Sequence, residues 1–268
     1  MKKLLALLLA LVMIMSLAAC ANNSDDDKDD DEKKGVVTEP NEDPTESEDP
    51  SQNEEVEQPT VTAMTYAEFM AAETDAKVCI ESYVQANQSW WFDSDAGHGK
   101  ITLYLQDEEG AYFAYEVNCS EEDAALLTQG TKVRVTGDKA EWAGEIEIMN
   151  ATVEILDGDM FIAAAQDVTE LMGTEELEAE MNKLVTVKGM TFKSLSYKDS
   201  EWDKDIYVTL TLGENDYEFC VENYLTGPDT DLYKAVEALK EGDVVDVTGF
   251  LYWYEGPNTH ITAIEAAA

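Results

Sequence analysis

The chain has 268 residues and a formal net charge of −41, and residues 60–268 carry 12 lysines and arginines against 42 acidic residues. So acidic a chain repels phosphate backbones and anionic lipid headgroups, which argues against broad electrostatic binding to either. The only histidines are His98 and His260, so the sequence shows no cysteine–histidine zinc motif.

The N-terminus has the pattern of an export signal. Lys2 and Lys3 precede an apolar run that ends at Leu17, and this run is shorter than the roughly 20 residues that a membrane-spanning helix needs. The segment Leu17-Ala18-Ala19-Cys20 resembles a lipobox, the cleavage motif of bacterial lipoproteins. The resemblance implies a signal peptide over residues 1–19 and a lipid on Cys20. The lipid would anchor the protein to the cell membrane on its extracytoplasmic side.

Residues 20–60 are rich in Asp, Glu, Ser and Pro and nearly lack apolar side chains. Such a composition cannot bury enough surface to offset chain entropy, which predicts a disordered tether. Repulsion between its charges would extend it.

From about residue 61 the pattern changes to strands with a few helices. Thr65 and Glu68 form a capping-box pattern that predicts a short helix to about Ala72. Ser120 and Asp123 predict a second helix to about residue 128. Period-2 alternation predicts five strands around these helices, at residues 77–86, 100–106, 111–117, 131–136 and 145–155. With a helix between the third and fourth strands, this is the element order of an OB-fold, a small Greek-key barrel.

The second half of the chain repeats this order. Gly130-Thr-Lys-Val-Arg-Val-Thr-Gly137 aligns with Gly242-Asp-Val-Val-Asp-Val-Thr-Gly249 at an offset of 112 residues. The predicted fold is therefore mainly β with a few helices: two tandem OB-like five-stranded Greek-key barrels after the disordered tether. The predicted domains are 61–156 and 157–268, and a helical connector over residues 157–182 leads the second.

Four segments give the chain a family resemblance: Gln88-Ser89-Trp90-Trp91, Leu103-Tyr104-Leu105-Gln106-Asp107, Cys119-Ser120-Glu121-Glu122-Asp123 and Lys132-Val133-Arg134-Val135-Thr136-Gly137. With these segments the chain resembles the tandem OB-fold lipoproteins of gut Firmicutes over about residues 60–268. The resemblance implies a fold and an extracytoplasmic location. It implies no activity.

An aromatic cluster is the best candidate for a ligand site, because OB-folds bind ligands on the face of strands two and three and the adjoining loops. Strict alternation turns Tyr104 and Tyr112 outward, Trp90 and Trp91 follow strand one, and Trp142 follows strand four. We expect these five rings to form one exposed ligand-binding patch, with the acidic surroundings favouring a neutral or cationic ligand. The alternative is that the tryptophans at 90 and 91 serve packing. The second barrel has an equivalent Tyr-Trp-Tyr run at 252–254. This run is interpreted either as a second ligand-binding patch or, at least equally well, as a contact between the domains.

Catalysis has little support, since the sequence shows no catalytic triad, HExxH motif or phosphate-binding glycine loop. Asp93–Gly97 resembles half of a calcium loop, but position 12 of that loop is Tyr104 and not the required Glu. No cofactor or metal is therefore expected. Cys79, Cys119 and Cys220 have no CxxC spacing, which favours buried thiols and leaves a single disulfide open.

These observations lead to three ranked expectations for function. The first is a non-enzymatic, membrane-anchored binding module whose ligand is a glycan or a protein. The second is a structural or accessory envelope lipoprotein whose barrels mediate protein assembly. Nucleic-acid binding ranks third and no nucleic-acid partner is expected, because a single-strand binder needs a positive groove.

Overall fold

The computed structural model describes residues 62–267, all within one compact unit of the chain. The predicted signal peptide, the lipidated Cys20 and the tether lie outside the described residues. Across residues 62–267, every helix is too short or too polar to cross a bilayer.

The first barrel contains six strands and two short helices: α1 (Tyr66–Ala71), β1 (Lys77–Asn87), β2 (Trp91–Asp93), β3 (His98–Gln106), β4 (Ala111–Asn118), α2 (Glu121–Ala124), β5 (Lys132–Trp142) and β6 (Glu145–Ile155). Five of the strands close in the order β1-β3-β4-β6-β5, and β1 pairs with both β3 and β5. Strands β4 and β6 run parallel, and the other pairings are antiparallel. This is the strand order of an OB-fold, with the short β2 added beside β3.

The second barrel has the same topology. Its elements are β7 (Gln166–Asp167), β8 (Leu184–Tyr197), β9 (Ile206–Leu212), β10 (Asn215–Val221), α3 (Asn223–Thr226), α4 (Asp231–Ala238), β11 (Val244–Phe250) and β12 (His260–Ala266). Strands β8 to β12 close into a barrel through β11–β8 pairing, and β10 runs parallel to β12. The prediction of two tandem OB-folds is confirmed. The strands lie within the predicted limits 61–156 and 157–268, and those limits themselves stay a prediction.

Helix α1 forms where the capping box predicts it. The Thr65 hydroxyl accepts a hydrogen bond from the Glu68 amide, and the Glu68 carboxylate accepts one from the Thr65 amide. The predicted helical connector, in contrast, contains the two-residue strand β7 and two 3-10 segments at Thr169–Leu171 and Glu175–Glu180. Gly173 between them has φ +81°, a conformation that ends a helix instead of continuing it.

The repeated Thr-Gly step has the same structural role in both barrels. A Cβ on Gly137 would lie 2.6 Å from the Met149 carbonyl oxygen, and one on Gly249 would lie 2.3 Å from that of His260. Gly137 sits where the pairing of β5 with β6 shifts register, and Gly249 sits where that of β11 with β12 does. The strands approach too closely there for any side chain, so the duplicated glycine marks a duplicated β-bulge.

Each barrel has its own apolar core, and a third cluster lies between the barrels. That cluster is formed by Tyr104, Phe113 and Phe250, with Leu225 and Tyr252 packed against it. The two barrels therefore contact each other through the outer face of β3 and β4.

Candidate functional site

Part of the expected ligand face is covered by the second barrel. Tyr104 on β3 points out of its own barrel, but its ring stacks on Phe250 with 4.6 Å between centroids. The tyrosine hydroxyl lies 2.6 Å from Nδ1 of His260 and accepts a hydrogen bond from Nε2 of Gln88. The expectation that Tyr104 is exposed is wrong, because the second barrel leaves only 2% of it accessible.

Tyr112 is also buried, and for a different reason. It lies in the core of the first barrel, where its ring packs edge-on against Phe69 at 5.0 Å and Tyr66 at 5.5 Å. The expectation that Tyr112 faces outward is therefore wrong. Strict alternation along β4 gave that expectation, and β4 does not alternate strictly.

A β-bulge interrupts β4. Ile101 pairs with Val117 but Leu103 pairs with Ala114, so two residues of β4 oppose one residue of β3. The two residues that oppose Thr102 are Tyr115 and Glu116, and Glu116 has φ 48°. A non-glycine residue in this region is uncommon and costs about 1–3 kcal/mol. The bulge brings both side chains to the same cleft.

This cleft has a volume of about 440 Å³, within the range of roughly 300–1,000 Å³ that is usual for ligand sites. Its open rings are Trp91 (43% exposed), Tyr115 (36%) and Tyr224 (59%). Tyr224 comes from α3 of the second barrel, and its carbonyl accepts a hydrogen bond from the Ser89 amide. The other lining residues are Gln88, Ser89, Trp90, Thr102 and Glu116.

Trp90 and Trp91 have different roles although they are adjacent. Trp90 is half-buried, and its Nε1 donates to the Cys119 carbonyl at 3.0 Å. Its indole lies over Gly99, where a Cβ would come within 2.3 Å of that nitrogen. Trp90 is therefore a fixed wall of the cleft that also packs on the core, whereas Trp91 presents an open ring.

A single lysine organises the charges beside the cleft. Nζ of Lys100 lies 2.8 Å from Asp93, 2.9 Å from Glu116 and 5.3 Å from the centre of the Trp91 ring. The hydrogen bond from Lys100 lowers the pKa of Asp93 to about 2, and contact with Asp93 raises the pKa of Lys100. Two carboxylates neutralise one cation, so this corner of the cleft is net negative and has no cation to spare for a phosphate.

The five predicted rings do not form one patch. The structure brings Trp90 and Trp91 together, buries both tyrosines, and places Trp142 on the β5–β6 hairpin outside the cleft, where it is 62% exposed. Tyr115, Glu116 and Tyr224 complete the cleft and were missed. Whether any of the predicted residues binds a ligand stays a prediction.

Acidic side chains are buried where the barrels meet. Glu145 is fully buried, and one of its oxygens accepts a hydrogen bond from the Trp253 amide at 2.8 Å. Its other oxygen has no hydrogen-bond partner among the described residues. Burial raises the pKa of Glu145 to about 8 and that of Glu147 to about 7, and it lowers the pKa of His260 to about 4. Burial thus disfavours the charged form of each of these groups.

Within residues 62–267, no cluster of three or more His, Cys, Asp or Glu side chains could hold a metal ion. Asp93, which begins the calcium-like stretch, accepts hydrogen bonds from the amides of Asp95 and Ala96 and pairs with Lys100. The cleft offers stacking surfaces and hydrogen-bond acceptors, an arrangement suited to holding a flat, neutral ring.

No protein-family model and no curated protein sequence matches this chain. Solved structures with a similar fold include a murine DNA-binding protein bound to double-stranded DNA, at 9% identity and a TM-score of 0.34 over 71% of this chain and 96% of that one. A Replication Protein A heterotrimer bound to single-stranded DNA is 14% identical, with a TM-score of 0.31 over 72% of this chain and 49% of that one. A replication factor A related protein from Methanobacterium thermoautotrophicum is 19% identical, with a TM-score of 0.27 over 36% of this chain and 92% of that one.

These similarities correct the ranking of functions. We expected a glycan or protein ligand, or a role in envelope assembly, and no nucleic-acid partner. That ranking is wrong, because the similar structures include proteins described as bound to double-stranded and single-stranded DNA. At these sequence identities the likeness concerns the fold alone. Any function proposed for this chain must therefore rest on the residues of its own cleft.

Proposed function

We propose that this chain binds single-stranded nucleic acid, with unpaired bases stacked in the cleft between Trp91, Tyr115 and Tyr224. The observation that carries the proposal is this set of open rings around a cleft of about 440 Å³ on the ligand face of an OB-fold. Stacking on aromatic side chains contributes about 1–3 kcal/mol per base and tolerates any sequence, because every base has a π-face.

The charge distribution favours bases over phosphates. Ordinary single-strand binders line their groove with cations, but the lysine at this cleft is held by two carboxylates. A paired duplex keeps its bases stacked inside the helix and offers mainly phosphates to such a surface. Single strands, which can turn their bases outward, are therefore the better fit.

We further propose that the chain works outside the cytoplasm, anchored by a lipid on Cys20. The support is the lipobox-like Leu17-Ala18-Ala19-Cys20 after a charged and apolar N-terminus. Labelling of cells with radioactive palmitate should mark the protein, and Cys20→Ser should abolish the label. Equal labelling of both proteins would exclude this anchor.

Binding of fluorescein-labelled dT12 to the full-length chain tests the proposed function. Trp91→Ala should weaken the affinity about 5- to 150-fold, which corresponds to the loss of one stacking contact. Trp142→Ala is the matched control, because it removes another exposed tryptophan, one that does not line the cleft. Equal loss in both variants, or no binding by the unmodified chain, would refute the proposal.

The dependence on salt gives a second signature. A protein that neutralises phosphates loses affinity as salt rises, with a slope in log K of about −0.7 per contact for single strands. Here added salt screens repulsion between the acidic surface and the strand, so we expect the slope to be zero or positive. A slope of about −2 or steeper would indicate a phosphate-binding groove elsewhere.

A further inference from the structure

The bulge in β4 places a carboxylate beside the stacking rings. Among the described residues that line the cleft, Glu116 is the only charged one. Its amide donates to the Thr102 hydroxyl at 3.2 Å, and its carboxylate is 2.9 Å from Nζ of Lys100. The side chain is therefore fixed at the cleft although its backbone has φ 48°.

Two of the other polar groups around the cleft already have hydrogen-bond partners. Nε2 of Gln88 donates to the Tyr104 hydroxyl, and the Ser89 amide donates to the Tyr224 carbonyl. Lys100 is held between Asp93 and Glu116. The strongest group that lines the cleft and can meet the edge of a stacked base is an acceptor, the Glu116 carboxylate, which contacts Lys100 through one oxygen, Oε2.

We propose, on the basis of the proposed function, that the cleft prefers guanine over the other bases and that Glu116 reads it. Guanine has two adjacent donors on its Watson–Crick edge, N1–H and the N2 amino group. A carboxylate has two acceptor oxygens and can take both hydrogen bonds side by side, and charged acceptors form the stronger bonds.

The remaining bases fit a carboxylate less well. Adenine has an acceptor at N1 beside its amino group, and cytosine has one at N3. The single N–H of thymine or uracil lies between two carbonyl oxygens. In each case one carboxylate oxygen would face another acceptor in a partly desolvated cleft, which is unfavourable. A bidentate contact of this kind discriminates between bases by about 5- to 150-fold.

The test compares octamers of thymidine that carry one central guanine, hypoxanthine, adenine or thymine, each competing with labelled dT8 for the full-length chain. Guanine should bind about 5- to 150-fold more tightly than adenine or thymine. Hypoxanthine, which keeps N1–H but lacks the N2 amino group, should be intermediate. This comparison needs no substitution, so it does not depend on whether a variant folds.

Glu116→Gln then tests the residue. An amide offers one acceptor beside one donor, which matches the amino group and N1 of adenine better than the two donors of guanine, so the variant should lose the guanine preference and favour adenine. Glu108→Gln, on the exposed β3–β4 turn, removes the same charge away from the cleft and should keep the preference.

The possible failures are distinct. Equal affinity for all four octamers would overturn the guanine preference and leave single-strand binding standing. Absence of binding to every octamer would overturn both proposals. A guanine preference that persists in Glu116→Gln would overturn the role of this carboxylate.

Discussion

Glutamine in place of Glu145 should make the protein less sensitive to alkaline pH. Glu145 is fully buried at the contact between the barrels, and burial raises its pKa from the usual 4.5 to about 8. Because the pKa of Glu145 is raised in the folded state, the contribution of this carboxyl to the free energy of unfolding is complete below pH 4.5. It is lost as pH rises through 8, because the unfolded chain then gains more by ionising.

The size of this effect follows from the two pKa values. A shift of one unit corresponds to about 1.4 kcal/mol, so between pH 5 and pH 8 the penalty from this one group grows by about 3 kcal/mol. Glutamine keeps an acceptor for the Trp253 amide and cannot ionise. Its amide nitrogen adds a buried donor that costs about 1–3 kcal/mol, but this cost does not depend on pH.

Urea denaturation followed by tryptophan fluorescence measures the difference directly. The free energy of unfolding of Glu145→Gln minus that of the unmodified chain should increase by about 3 kcal/mol from pH 5 to pH 8. Glu141→Gln, an exposed change on the same hairpin, should leave its own difference within about 0.5 kcal/mol at both pH values. If the Glu145→Gln difference is the same at both pH values, the carboxyl is ionised in the folded protein and the reasoning is refuted.

Three further outcomes follow from the contacts described above. Tyr104→Phe should lower the free energy of unfolding by about 1–3 kcal/mol in urea titrations, because it leaves Gln88 and His260 without a buried partner; an unchanged midpoint would mean that this hydrogen bond does not hold the barrels together. Gly249→Ala should also lower the free energy of unfolding, by about 1–3 kcal/mol or more, since its Cβ would lie 2.3 Å from a backbone oxygen. An unchanged free energy of unfolding would contradict the close approach of the two strands. Trp91→Ala should shift the thermal midpoint little, since Trp91 is 43% exposed and surface changes are usually within about 0.5 kcal/mol; a large loss would make it a packing residue.

The fold could be predicted because its signals are local and repeated. Alternation marks the strands, Thr65 and Glu68 mark the first helix, and the Thr-Gly step recurs 112 residues later. These patterns depend on neighbouring residues alone, so they survive without knowledge of tertiary contacts. Because the two halves repeat each other, the assignment of one barrel supported the assignment of the other.

The site could be predicted only in part. The bulge at Tyr115 and Glu116 contains no glycine that would indicate it in the sequence. Its one extra residue turns the Tyr112 side chain to the opposite face of the sheet. The burial of Tyr104 and the arrival of Tyr224 both depend on how the second barrel contacts the first. The alternation of side chains within one strand does not indicate which residues the other barrel will cover.

The most direct test of the central claim is to follow the five tryptophan indole N–H signals by NMR as oligothymidylate dT8 is added to the full-length chain. A base that stacks in the cleft should shift the signals of Trp91 and Trp90, which line it, and leave those of Trp142, Trp202 and Trp253 in place. Shifts confined to the latter three tryptophans, or no shift at saturating oligonucleotide, would contradict binding of single-stranded nucleic acid in this cleft.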